Sequence, residues 1–256
     1  MSITKQRIAQ QFTQASQSYD KQAKVQQQLY QPLLDLLRPY QQHFSHILEI
    51  GCGSGGFSAY LRQQLTADQW TFNDLCPQNL PLLQQKIEKT DRTFFCFGDA
   101  ENIAFPHHYQ LITAASSLQW FNDIPQFLQR CAALLDPQGY LLFNVFTPQN
   151  LTEIRQLTGI GLNYPSLNQW HQWLSKQFDL IAEQQLQIPL YFDHPIAVLK
   201  HLKQTGVNAT STGKGWSKQK YQNFIQQYQQ QFSHLQGQVR LTYTPLLFLA
   251  RKKSNQ

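Results

Sequence analysis

Between residues 43 and 147 the chain alternates apolar runs of strand length with segments of helical period. The strand runs are Ile47-Leu48-Glu49-Ile50, Trp70 to Asp74, Thr93 to Phe97, Tyr109 to Ala115 and Tyr140 to Phe146. Between them, Phe57 to Leu65, Pro77 to Lys89 and a segment from a capping Asp123 through Leu135 carry helical spacing. Asp136-Pro137-Gln138-Gly139 reads as a turn before the fifth strand. Strands that are apolar throughout are buried on both faces, which requires helices above and below a parallel sheet. Right-handed crossovers then leave one architecture, a doubly wound Rossmann-like α/β core.

The flanks are less regular. Ile8, Phe12, Ala15 and Tyr19, then Val25, Leu29, Leu33, Leu36 and Leu37, predict helices that end at Arg38-Pro39. After Thr147-Pro148, Leu151 to Leu157 predicts a helix, and Ser166-x-x-Gln169 forms a capping-box signature before a further one. Phe178 to Ile188 reads as one strand. Ile196 to Leu202 and Tyr221 to Phe232 read as helices, with a flexible loop over Thr210 to Gly215 between them. Leu241 to Ala250 reads as one last strand. The expectation is a single domain over residues 1–256: a helical cap (1–42), a core (43–147), a substrate-side insertion with a sixth strand (148–240), and a last strand with its tail (241–256).

The 256 residues are 41% apolar, enough for a large core, yet only 14% charged. Glutamine supplies the missing polarity: its 42 copies are spread along amphipathic stretches rather than gathered in one tract. No apolar run nears the ~18 residues of a membrane span, and Met1 to Arg7 has no secretory h-region. Cytoplasmic location and no membrane partner are therefore expected. Cys52, Cys76, Cys96 and Cys131 share no C-x-x-C spacing, so reduced thiols and no metal site are predicted. A formal charge of +6 suits an acidic partner or a small anion.

Gly51-x-Gly53-x-Gly55 stands where the first strand meets the first helix. Glycines there let backbone approach a ligand closely, although a plain tight turn would use them too. Two carboxylates sharpen the reading. Asp74 ends the second strand, where it can accept from both hydroxyls of a ribose, and Asp99 follows the third strand in Gly98-Asp99-Ala100-Glu101. All three features fall at the carboxyl ends of successive strands, where open α/β sheets bind ligands.

Together these motifs resemble the class I S-adenosylmethionine-dependent methyltransferases, and so do the fourth-strand segment Tyr109 to Trp120 and the fifth-strand entry Leu135-Asp136-Pro137-Gln138-Gly139-Tyr140-Leu141-Leu142-Phe143. The flanking motifs Phe12-x-x-Ala15-x-x-x-Tyr19-Asp20-x-x-Ala23, Leu118-Gln119-Trp120, Leu199-Lys200-x-Leu202-Lys203-x-x-Gly206 and Leu241-Thr242-Tyr243 narrow the likeness to the malonyl-acyl-carrier-protein O-methyltransferases of biotin synthesis. The resemblance implies a seven-stranded sheet with an N-terminal helical cap and a helical insertion after strand five. It implies S-adenosylmethionine as cofactor, held by Glu49, Gly51, Cys52, Gly53 and Gly55, by Asp74 and Leu75, by Asp99 and Ala100, and by Ser116. It also implies malonyl-acyl carrier protein, or malonyl-coenzyme A, as partner, and a monomer. Gln138 stands where the family pattern has glycine, and Ser116 where many members have asparagine.

The implied acceptor is a carboxylate, ionised above pH ~4, so the reaction requires no general base. The chain shows no Ser-His-Asp or Cys-His nucleophile set. A very tight ion pair on the attacking oxygen would stabilise the ground state above the transition state, so hydrogen-bond donors are expected near it. Tyr19 is the first candidate, with Arg155 and Lys200 as further catalytic candidates and Trp120 packing beneath. Lys200, Lys203, Lys214, Lys218, Lys220 and Arg240 are candidates for a face that meets an acidic carrier. Nucleic acid is not expected as a partner, because Ser116-Ser117-Leu118-Gln119 replaces the Asn/Asp-Pro-Pro-aromatic motif of many base methylases. Methylation of another small carboxylic acid or metabolite, and a cofactor- and carrier-binding module without turnover, stay open.

Overall fold

The computed structural model describes residues 4–205 and 216–254. Gly206, Lys214 and the predicted loop over 210–215 lie outside the described residues, as does the side chain of Ala15. Five strands form the parallel part of the sheet: β1 (His43–Ile50), β2 (Thr66–Asp74), β3 (Thr93–Phe97), β4 (Tyr109–Ala115) and β5 (Leu135–Phe146). Two more, β6 (Phe178–Gln185) and β9 (Pro245–Lys252), complete the order β3-β2-β1-β4-β5-β9-β6, with β9 antiparallel to both neighbours. The chain reverses its direction of travel across the sheet between β1 and β4, so a crevice opens at their carboxyl ends.

Each face of the sheet buries its own apolar cluster. On one side lie α3 (Tyr30–Leu37), α4 (Gly56–Gln64) and α5 (Leu80–Lys86), through Leu33, Leu37, Leu61 and Leu83. On the other lie α6 (Ile124–Leu134) and α8 (Leu167–Leu174), through Phe127, Cys131, Trp170 and Leu174. Local signals set these helix starts. Asp123 accepts from the Gln126 N–H at 2.9 Å, and Ser166 with Gln169 closes a capping box. The helix expected to run to Lys89 instead begins as a 3₁₀ turn at Pro77–Asn79 and stops at Lys86.

Two expected strands are each split. The run 178–188 divides into β6 and β7 (Ile188–Phe192), and the run 241–250 into β8 (Val239–Tyr243) and β9. The breaks face one another: Gln185 pairs with Leu246 in the main sheet, and Ile188 with Tyr243 in a separate two-stranded sheet. Pro245 lacks the N–H that a continuous ladder would need, so both chains bend out together. The small sheet carries α9 (Pro195–Gln204) and α10 (Lys218–Phe232), whose Val198, Leu202, Phe224 and Tyr228 join the same core as α3. A further helix, α7 (Thr152–Thr158), is tied to β8 by the fully buried Glu153, which accepts from the Thr242 N–H at 3.1 Å and its hydroxyl at 2.6 Å.

Gln138 explains its departure from the family pattern. The turn expected over Asp136–Gly139 is instead a bulge within β5, between the pairs Tyr109–Leu135 and Leu111–Tyr140, and there Gln138 sits at φ +64°, in the left-handed region that glycine tolerates best. A side chain there costs roughly 1–2 kcal/mol. Gln138→Gly is expected to raise unfolding free energy by about 1 kcal/mol in urea titration, without a change in the slope of the titration.

Candidate active site

The crevice at the carboxyl ends of β1, β2 and β4 is a cavity of about 1100 Å³, solvent at its mouth included. Glu49, Gly51, Cys52, Gly53, Asp74, Leu75, Asp99, Ala100, Ser116 and Tyr19 all line it. Gly53 is left-handed at φ +53°, with nothing within 4 Å of where a Cβ would stand, so any side chain there would enter the ligand space. Gly55 is absent from the lining. It caps α4, and an added Cβ would stand 2.7 Å from Leu83, so its role is close packing of α4 on α5.

Asp74 holds the floor together. Its Oδ2 accepts from the Gly53 N–H at 2.8 Å, and its Oδ1 from the Cys76 N–H at 2.7 Å and the Asn79 amide at 3.2 Å. Burial pushes its carboxyl upward from the ordinary range, and those three donors pull it back. Asp99 accepts from the Glu101 N–H at 3.1 Å and the Asn102 amide at 3.0 Å. Glu49 differs from both: it is 1% exposed, and the buried Ser58 hydroxyl is the donor that acts on its carboxyl. Burial raises its pKa from 4.5 to about 8.

An amphipathic lid, α1 (Lys5–Gln22), lines the cavity through Lys5, Ile8, Phe12 and Tyr19. Both ends are tied by charge. Lys5 Nζ lies 3.3 Å from Asp99 and 2.5 Å from Glu101, while Asp20 meets Lys86 at 2.5 Å and the Ser54 hydroxyl. Phe12 meets the Trp120 ring edge-on at 5.3 Å. Behind the lid, α2 (Lys24–Gln28) contributes Gln26, and α3 contributes Tyr30, whose hydroxyl stands by Gly56.

The cavity therefore sets the carboxylates Asp74 and Asp99, and the ionisable Glu49 carboxyl, against one ammonium, Lys5. That lining fits a ligand with positive charge. The Glu49 carboxyl on the cavity wall fits an ammonium or sulfonium, and Asp74 fits ribose hydroxyls. The residues present thus suit S-adenosylmethionine.

A second chamber of about 370 Å³, solvent at its mouth included, adjoins the first and shares Phe12, Tyr19, Gln26, Ser116 and Trp120 with it. Its own walls include Asn150, Tyr164, Thr205 and Tyr243. Ser116, at φ +53°, is held at the junction by the buried Asn144. The Ser116 N–H donates to Asn144 Oδ1, and the Asn144 amide donates to the Ser116 hydroxyl, both at 3.0 Å. Asparagine adopts that left-handed geometry more readily than serine, and here Asn144 supplies the missing restraint.

Arg155 and Lys200 are not brought to either cavity. The Arg155 guanidinium donates to the carbonyls of Pro148 at 2.8 Å and Leu162 at 2.6 Å, bracing the loop after α7. Lys200 is exposed on α9. Lys5, Gln26, Tyr30, Asn79, Asn150 and Tyr164 were missed by sequence reasoning. Asn150 follows the carboxyl end of β5, a position where ligand-facing residues are expected. The others carry no comparable local signal.

A methyltransferase-domain family model matches residues 19–185. Solved structures show the same fold. A putative methyltransferase from Bacillus halodurans superposes with a TM-score of 0.64 at 16% identity, covering 87% of this chain and 99% of that one. The N-methyltransferase NodS from Bradyrhizobium japonicum, solved with S-adenosyl-L-homocysteine, gives 0.55 at 15% identity over 89% and 87%. Fold and family model together define a class I methyltransferase. The malonyl-acyl-carrier-protein O-methyltransferase of Haemophilus influenzae is 43% identical over 98% of this chain and 95% of its own length. That of Porphyromonas gingivalis is 43% identical over 95% and 94%. The chain belongs to the family of malonyl-acyl-carrier-protein O-methyltransferases.

Glu49 yields a test with a definite sign. Its raised pKa means that the Glu49 contribution to ligand-free stability is fully present below pH ~4.5 and is lost as pH rises through about 8. Cationic ligand favours the ionised form, so S-adenosylmethionine affinity should rise about tenfold or more from pH 6 to 8 with proton release. Glu49→Gln should flatten both dependences, weaken binding at pH 8, and raise the ligand-free melting temperature there. Calorimetry in buffers of different ionisation enthalpy reads the proton directly.

Proposed function

We propose that this chain transfers a methyl group from S-adenosylmethionine to the free carboxylate of a malonyl thioester carried on acyl carrier protein. The observation that carries the reading is its 43% identity, over nearly the full length, to relatives bearing that name. The site supports it: an anionic cavity for a cationic cofactor opens onto a chamber whose described lining holds no lysine or arginine. When bound, the cofactor supplies an electrophilic methyl on a positively charged sulfur.

This chain's residues bind, orient and exclude water. Asp74 and Asp99 serve the ribose and adenine, and Glu49 the cationic end. Gly51, Gly53, Cys52, Leu75 and Ala100 shape the walls. Tyr19 lines both cavities and donates to the acceptor at their junction, with Ser116 opposite. Burial raises the Tyr19 hydroxyl pKa, so it stays a donor at neutral pH. The acceptor arrives ionised and no proton has to move. Alignment of this kind can supply roughly 7–11 kcal/mol. Neutral donors hold a carboxylate whose charge is about to vanish without the ground-state penalty of a tight ion pair.

The carrier approaches over α9 in this reading. Ile196, Lys200 and Lys203 follow helical spacing along one exposed face, an apolar contact beside two cations. Arg240 pairs with Glu153 at 3.4 Å, and Lys220 lies 5.4 Å over the Trp216 ring. Coenzyme A is the smaller alternative carrier of the same malonyl group.

Labelled cofactor offered with malonyl and acetyl carrier protein tests the function: only the malonyl form should gain label. No labelling of it would overturn the reading. Charge reversal at Lys200 and Lys203 should slow turnover of malonyl carrier at low salt and spare a small malonyl thioester. The difference should shrink as added salt shortens screening below ~10 Å.

A further inference from the structure

We infer that Tyr164 is the hydrogen-bond donor that fixes the acceptor carboxylate, with Asn150 as the residue that aims it. The inference rests on the carboxyl-methylation reading and names the specificity group of that same site. The amide of Asn150, 3% exposed, has only one orientation available. Its Oδ1 accepts from the Thr244 N–H at 3.0 Å, which leaves Nδ2 to donate to the Tyr164 hydroxyl oxygen at 3.1 Å. Tyr164 is thus an acceptor toward Asn150, and its own proton finds no acceptor among the described residues. It lines the chamber. A hydroxyl whose oxygen is occupied and whose proton is unspent is a donor waiting for an anion.

The other chamber tyrosine on this wall is already engaged. The Tyr243 hydroxyl lies 2.9 Å from the His201 ring nitrogen. Burial holds His201 down to about 4, so that ring is neutral and offers no cation to an acid. Burial pushes Tyr164 up to about 12, which keeps its proton in place at physiological pH. Arg155 sits behind it, gripped by the carbonyls of Pro148 and Leu162, and its field acts on the tyrosine without touching the chamber. A cation is therefore used at one remove.

The placement also divides the work between the two oxygens of the acceptor. Tyr19 lines both cavities, whereas Tyr164 lines only the chamber. Tyr164 therefore holds the distal oxygen while the proximal one attacks. The new O–CH₃ bond forms as the S–CH₃ bond breaks, the sulfur keeps its electron pair, and no proton changes hands. The distal oxygen becomes the ester carbonyl and still accepts from Tyr164, so the contact survives the loss of charge.

The test uses the full chain, with malonyl-pantetheine and its methyl ester as probes. Tyr164→Phe should lower kcat/KM for malonyl-pantetheine ~10- to 100-fold, the worth of a hydrogen bond to a charged group. Affinity for S-adenosylhomocysteine should stay within about twofold. By calorimetry on the S-adenosylhomocysteine complex, the variant should lose more affinity for the acid than for the ester, because a neutral acceptor forfeits a weaker bond. Asn150→Leu should reproduce part of the loss with the same preference for the acid. A wild type that binds and methylates malonyl-pantetheine while Tyr164→Phe matches it in both overturns this inference alone. Equal losses for acid, ester and S-adenosylhomocysteine would mean a structural role and overturn it too. A wild type that binds the acid through Tyr164 without turnover sinks the function and leaves the donor standing. A wild type that neither binds nor methylates malonyl-pantetheine removes both.

Discussion

The Asp74 carboxylate, buried at the end of β2, is the contact on which the site depends. It takes one backbone N–H from the glycine loop, one from Cys76 and an amide from Asn79. Those three bonds join the β1–α4 turn to the β2–α5 turn and set the distance between two walls of the cavity. An isolated buried carboxylate would neutralise itself. Here the donors offset part of that cost, and Oδ2 with its single bond keeps capacity for a ribose. Loop geometry and ligand chemistry are thereby the same set of atoms.

From that floor the molecule separates charge by compartment. The cofactor cavity carries carboxylates, and the adjoining chamber is lined, among the described residues, by apolar side chains and neutral polar groups. A methyl transfer that consumes one positive and one negative charge is served by this division. Opposite charges are met where the molecule must bind, and neutral donors stand where charge is about to disappear. The lid α1 shares the logic, since Lys5 and Asp20 tie its two ends to groups at opposite edges of the cavity.

The two departures from the family pattern have one physical cause. Gln138 and Ser116 both occupy left-handed backbone, where glycine and asparagine are the easy choices. At Gln138 the position is an exposed bulge within β5. At Ser116 the position borders both cavities, and two hydrogen bonds exchanged with Asn144 hold it. A substitution that looks like a threat to the active-site wall is absorbed by a neighbour 28 residues away.

Local physics made much of this legible from residues alone. The alternation of apolar runs and helical periods, the strands at Thr93–Phe97 and Tyr109–Ala115, the Asp123 cap and the Ser166–Gln169 capping box depend on neighbours a few residues apart. The positions of Glu49, Gly53, Asp74 and Asp99 follow from strand ends, which the same pattern marks. What depends on distant partners was decided by the tertiary structure. The paired breaks at Leu186 and Thr244 require two strands to leave one sheet for another together. Arg155 and Lys200 carry charge that sequence displays, yet carbonyl partners turn the first away from the cavities and solvent claims the second. Tyr164 and Asn150 become a donor and its guide only because Thr244, 94 residues from Asn150, fixes which way one amide points.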